Sequence, residues 1–184
     1  MKRRVLRAIA IVLVVAFCRC FPVWAAPSEN VGHLDRAREL IQQGECAAAI
    51  APLSEAVRAH PENAIAFKLR GYCHQKLEQS DAALSDYSRV IALTPKSADA
   101  YIDRGLAHGF RGEYELAIAD YDEALAIAPE DARASNARGV ARCRQGFSGE
   151  GRSDFARAAE LSRDSGDLDL YRVARRAAKR LCGA

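Results

Sequence analysis

Hydrophobic residues in this chain fall in short stripes at helical spacing, with polar residues filling the positions between them. From residue 30 onward the stripes come in pairs, each pair split by a short break such as Arg111-Gly112-Glu113 or Gln145-Gly146. This spacing predicts amphipathic helices. The last stretch, Asp167–Leu181, carries Leu170, Val173, Ala174, Ala177 and Leu181 on one predicted face. Arg172, Arg175, Arg176, Lys179 and Arg180 lie on the other, as in a helix that covers the end of a stack and turns its cations to solvent.

The paired stripes have a fixed period. Pro27, Pro61, Pro95 and Pro129 are each 34 residues apart. A short lead at 26–29 therefore precedes four units, 30–63, 64–97, 98–131 and 132–163, with a capping helix over 167–182. The eighth position of the units reads Ala37, Gly71, Gly105 and Gly139, and the twentieth reads Ala49, Ala83, Ala117 and Gly151. The twenty-fourth reads Leu53, Tyr87, Tyr121 and Phe155, and Phe67 and Tyr101 hold the fourth position of the central units. A lone hairpin cannot bury its apolar face, so the units must stack. Small residues belong where the two helices cross, aromatics at the wider ends, and proline after each second helix stops it. Pro52, inside the second helix of the first unit, is expected to bend that helix mildly.

These residues resemble the tetratricopeptide repeat over about residues 30–163. The third unit, ADAYIDRGLAHGFRGEYELAIADYDEALAIAPED, is close to a consensus repeat, and the outer units depart from it at His33, Ser135 and Arg163. The resemblance implies an all-α, right-handed solenoid of about four helical hairpins plus a C-terminal capping helix. It also implies a protein-interaction scaffold rather than an enzyme.

Composition agrees with packed helices: apolar residues make up 49% and charged residues 28% of the 184. The N-terminus is a separate matter. A basic segment, Met1–Arg7, leads into an apolar run, Ala8–Cys18, and then Val23-Trp24-Ala25, the three parts of a secretory signal peptide over residues 1–25. As a helix the apolar run reaches about 16 Å, roughly half a bilayer's hydrocarbon core, so cleaved export to the periplasm is expected rather than a spanning anchor. Residues 26–184 carry 22 basic against 24 acidic side chains, which gives no electrostatic case for nucleic acid.

No paired-histidine metal motif, phosphate-cradling loop or nucleophile elbow occurs, so no catalytic residue, cofactor or metal is implied. His74 and His108 share position eleven of successive units, as core-edge residues or, alternatively, as a metal-binding or pH-sensing pair. Arg36, Arg70, Arg104 and Arg138 fill position seven. Asp86, Asp120 and Asp154 at position twenty-three of the last three units are their expected ion-pair partners, within a unit or across to its neighbour. Pro52 takes that place in the first unit, which leaves Arg36 freest. Of the four cysteines beyond the leader, the stacking that the resemblance implies pairs Cys46 with Cys73 and Cys143 with Cys182; buried free thiols are the alternative.

The resemblance further implies a concave groove lined by the first helices. Carried over by position, it holds Ile65, Lys68, Tyr72, Gln75 and Lys76 in the second unit, then Asp99, Ile102, Leu106 and Phe110 in the third. The fourth contributes Arg133, Asn136, Val140, Cys143 and Arg144. An apolar strip rimmed by cations fits an extended or helical protein segment of some acidic character. Tyr72 and Leu106 stand where a chaperone-type carboxylate clamp needs polar groups, so no clamp is carried over. Alternatives are an adaptor that meets a membrane or polyanion through the basic tail helix, and a small metal protein; self-association through an end face is also open.

Overall fold

The computed structural model describes residues 29–183, and the leader and its cleavage site lie outside them. Among the described residues there are nine α-helices and no strand. They are α1 (Glu29–Gln42), α2 (Cys46–Ala59), α3 (Ala64–Lys76), α4 (Ser80–Leu93), α5 (Ala98–Phe110), α6 (Tyr114–Ile127), α7 (Ala132–Arg144), α8 (Ser148–Asp164) and α9 (Leu168–Leu181). Each helix packs on the next in sequence, so α1/α2, α3/α4, α5/α6 and α7/α8 are hairpins stacked in one row, with α9 on the end.

The helix boundaries have local causes. The break within each hairpin needs a left-handed residue, supplied by Gly44, Gly112 and Gly146; the second hairpin uses Glu78 at φ 59° instead. Between hairpins the helices stop two residues before Pro61, Pro95 and Pro129. Asn63 and Asp131 then cap α3 and α7, each side chain accepting from two backbone N–H groups. The second helix of the first hairpin runs through Pro52 without interruption.

The crossings explain the small residues. A Cβ built on Gly71 would sit 2.9 Å from the Tyr87 ring, and one on Gly105 would sit 2.7 Å from Tyr121. Ala37 is accommodated in the first hairpin because the residue it shares a core with is Leu53 rather than a tyrosine. Gly151 breaks the run of alanines at position twenty because a Cβ there would lie 2.2 Å from Cys143 Sγ.

The end of the stack differs from its middle. α8 has 17 residues, three more than α2, α4 and α6, and α9 begins 36 rather than 34 residues after the start of α7. Ala174 and Ala178 pack with Phe155 and Ala159, just as Ala137 and Ala141 pack with Ala117 and Tyr121 one hairpin earlier. Arg176 lies on the exposed side of α9. The buried side of α9 is centred on Ala174, with Tyr171, Ala177, Ala178 and Leu181 packed around the same cluster. Val173, expected in this stripe, is 52% exposed, because it lies about 100° around the helix from Ala174.

Candidate functional site

Three arginines organise the row. Arg70 donates from Nε and Nη2 to Asp86 at 2.9 and 2.7 Å, Arg104 to Asp120 at 3.0 and 2.6 Å, and Arg138 to Asp154 at 3.1 and 2.7 Å. The remaining Nη1 of each reaches back into the preceding hairpin: to Ser54 at 3.3 Å, Ser88 at 3.4 Å and Asp122 at 2.5 Å. Each guanidinium therefore joins both helices of its own hairpin and the one before it, a use of the fork geometry that lysine cannot reproduce. Hydrogen bonds to the aspartates raise the pKa of Arg70 and Arg104. Arg142 adds a further donor to Asp154 at 2.9 Å. Arg36, which lacks an equivalent aspartate, pairs among the described residues with Glu39 alone, at 3.4 Å and in solvent.

The histidines at position eleven have a local role that spacing alone did not suggest. His74 Nδ1 lies 2.6 Å from Gln79 Oε1, and His108 Nδ1 lies 2.7 Å from Glu113 Oε2. Each pins the turn that follows its helix. The signal was present in the sequence, since a polar residue follows each histidine by five. Among the described residues no group of three or more histidines, cysteines and carboxylates could hold a metal.

Cys143 and Cys182 are joined, with Cα atoms 5.1 Å apart, tying the end of α9 to α7. The expected Cys46–Cys73 bridge is not formed. These two cysteines do meet in one buried cluster, but as free thiols. Burial, and then the neighbouring Cys46, push the Cys73 thiol up to about 12. Burial thus favours the protonated thiol.

The face where α3, α5 and α7 lie side by side holds two clefts. One, of about 760 Å³, is lined by Tyr72, Gln75, Lys76, Tyr87, Asp103 and Arg111 among others. The second, of about 460 Å³, is lined by Tyr114, Tyr121, Asn136, Ala137, Val140 and Arg144 among others. Leu106 and Phe110 line both and form the ridge between them. Phe110 is 77% exposed, Tyr72 41% and Leu106 38%, and Lys76 Nζ stands 5.4 Å over the Tyr72 ring.

Several groove residues expected from sequence are elsewhere. Ile102 is only 6% exposed, because it packs with Ala124 and Ala134 in the core where α5, α6 and α7 meet. Cys143 is buried in its bridge rather than facing the groove. Lys68 pairs with Asp103 at 3.0 Å, and Arg133 pairs with Asp99 and Asp131, so these charges tie neighbouring hairpins and do not line either cleft. Asp103 and the tyrosines of the second helices were missed as lining residues, because position-by-position carry-over considered the first helices' outer faces only. Two acceptor oxygens at the clefts lack an aligned donor among the described residues, Asp103 Oδ2 and Asn136 Oδ1. The Lys68 contact to Asp103 is an ion pair off hydrogen-bond alignment, and burial holds that carboxyl above the usual carboxylate range.

A row of two-helix repeats sharing one groove defines the class of helical-repeat interaction proteins. Within that class the chain belongs to the tetratricopeptide-repeat family, whose profiles match residues 34–98 and 69–142. Among solved structures, one of MamA is 27% identical, with a TM-score of 0.72 over 78% of this chain and 84% of that one. The type IV pilus biogenesis factor PilW is 20% identical, with a TM-score of 0.65 over 84% of this chain and 78% of its own. The second such domain of human RPAP3, solved with the HSP70 peptide SGPTIEEVD, is 22% identical, with a TM-score of 0.60 over 64% of this chain and 98% of its own. No curated protein sequence matches the chain.

Proposed function

We propose that the chain is an exported, non-enzymatic scaffold of the cell envelope that holds a peptide or protein segment in the groove of α3, α5 and α7. The observation that carries this reading is the exposed Leu106–Phe110 ridge with a cleft on either side. An apolar surface of this kind with a polar rim marks a protein-binding site. Lys76, Arg111 and Arg144 on the rims favour a segment of acidic character. RPAP3, a structural relative, is bound to an acidic peptide.

The test compares partner capture by the wild type and by a Tyr72→Ala/Leu106→Ala variant of unchanged circular dichroism, both from envelope extract. Loss of a partner in the variant supports the groove, and equal capture moves the site elsewhere. Export rests on the signal-peptide pattern of residues 1–25, and N-terminal sequencing of the periplasmic protein is expected to begin at Ala26.

A further inference from the structure

α9 carries an arginine that lies outside the staples. Arg175 and Lys179 on α9 repeat the one-turn spacing of Arg138 and Arg142 on α7. Arg138 and Arg142 grip Asp154 together. Arg138 also reaches Asp122, whereas Arg175 shares its cleft with Ala156 and Glu160. Among the described residues the Arg175 side chain meets only Tyr171, whose hydroxyl it reaches at 2.7 Å and over whose ring it lies at 5.6 Å. No ion pair of Lys179 occurs among them either.

A cleft of about 460 Å³ opens here between α8 and α9, floored by Phe155, Ala159, Tyr171, Ala174 and Ala178. Its charged lining is Arg152, Arg163, Arg175 and Lys179 against one acid, Glu160. Glu160 is itself paired with Arg157 at 3.2 Å. We propose that this cleft docks an acidic protein segment, one carboxylate of which is held by Arg175 and Lys179 as Asp154 is held by Arg138 and Arg142. The floor is apolar and the two cations repeat the spacing of the Arg138–Arg142 pair that grips Asp154, so a carboxylate on a partly apolar helix fits best.

The probe is a capped peptide of residues 113–128, which contains the carboxylate of Asp120 in its native second-helix setting. It is titrated into the mature chain with the bridge intact, and the Arg175 Nε–Hε resonance is followed by NMR. Binding should shift that resonance. Arg175→Gln in the protein, or Asp120→Asn in the peptide, should weaken affinity about tenfold or more, with little further loss when combined, and Arg175→Lys should be intermediate. Arg180→Gln removes the same charge from the outer face of α9 and should have a small effect. The proposal fails if the peptide does not bind at millimolar concentration, or if Arg175→Gln and Arg180→Gln weaken it equally. It also fails if phosphatidylglycerol vesicles bind through all five α9 cations alike and the peptide does not compete, which would assign the surface to lipid.

Discussion

The middle of the row and its last helix use the same residue types to opposite ends. In α3, α5 and α7 an arginine at position seven meets a buried aspartate on the following helix and an acceptor on the preceding hairpin. In α9 Arg175 has neither among the described residues. Charge divides along the same line: residues 29–167 hold 17 cations against 23 acids, and residues 168–183 hold five cations against Asp169 alone. An arginine's part in this molecule is therefore set less by its own position than by what the next helix supplies. The repeats consume their charges internally, and the end helix presents its charges outward.

The largest effect should come from breaking a staple in the middle. Asp120 is nearly buried and its removal leaves the Arg104 guanidinium, itself about a quarter exposed, with only its long contact to Ser88 and no carboxylate. Asp120→Ala should cost about 2–4 kcal/mol in urea unfolding, at the lower end of what an uncompensated buried charge usually costs. A loss below about 1 kcal/mol would mean that the staple contributes geometry and little stability.

Next in size is the tie at the end. Cys182→Ser opens a 39-residue loop and should cost about 2–4 kcal/mol. The loss should be concentrated in α9, because only Ala174 of that helix is fully buried. Hydrogen exchange should then rise across residues 168–181 while α3–α6 keep their protection. Uniform loss of protection would show that the end helix is as integral as the repeats.

The other cysteine pair gives a pH-dependent contrast. Cys73 is fully buried and its thiol is raised from 9.0 to about 12, so the folded protein holds this proton more tightly than the unfolded chain does. Its contribution to stability is complete below about pH 9 and is lost as pH rises toward 12. Alkylation at pH 8 should accordingly be slow in the native protein and fast in urea. Rapid labelling of native Cys73 would contradict its sealed environment.

Much of this was legible in the sequence, and the boundary of legibility is physical. The period, the helix-breaking prolines and the small crossing residues are repeated in each unit, so each position is read several times over. The Arg–Asp staples followed because both partners recur at the same spacing. Errors came where a residue's neighbours are not repeated. Ile102 takes an outward position by count, yet Ala124 and Ala134 leave it room in the core. Val173 fits the stripe by spacing alone, but the buried side of α9 centres on Ala174 and leaves Val173 exposed. The unpaired state of Arg175 depends on which side chains α8 sets beside it, and the 34-residue count does not extend to α9.

The smallest expected effect is also the sharpest test of the comparison. Arg104→Gln and Arg175→Gln make the same change in a stapled arginine and an unstapled one. The first strips the donors from Asp120 and Ser88 and leaves a nearly buried carboxylate short of hydrogen bonds, which should cost about 1–3 kcal/mol. The second removes a cation whose only described contacts are to a tyrosine one turn earlier on its own helix, so it should stay within about 0.5 kcal/mol of wild type. Equal losses would mean that Arg175 has a structural partner after all, and the end cleft would then be part of the fold. A large difference would leave a guanidinium that stability does not require, set in a cleft of matching shape and charge. Such a group is free to serve a bound acid.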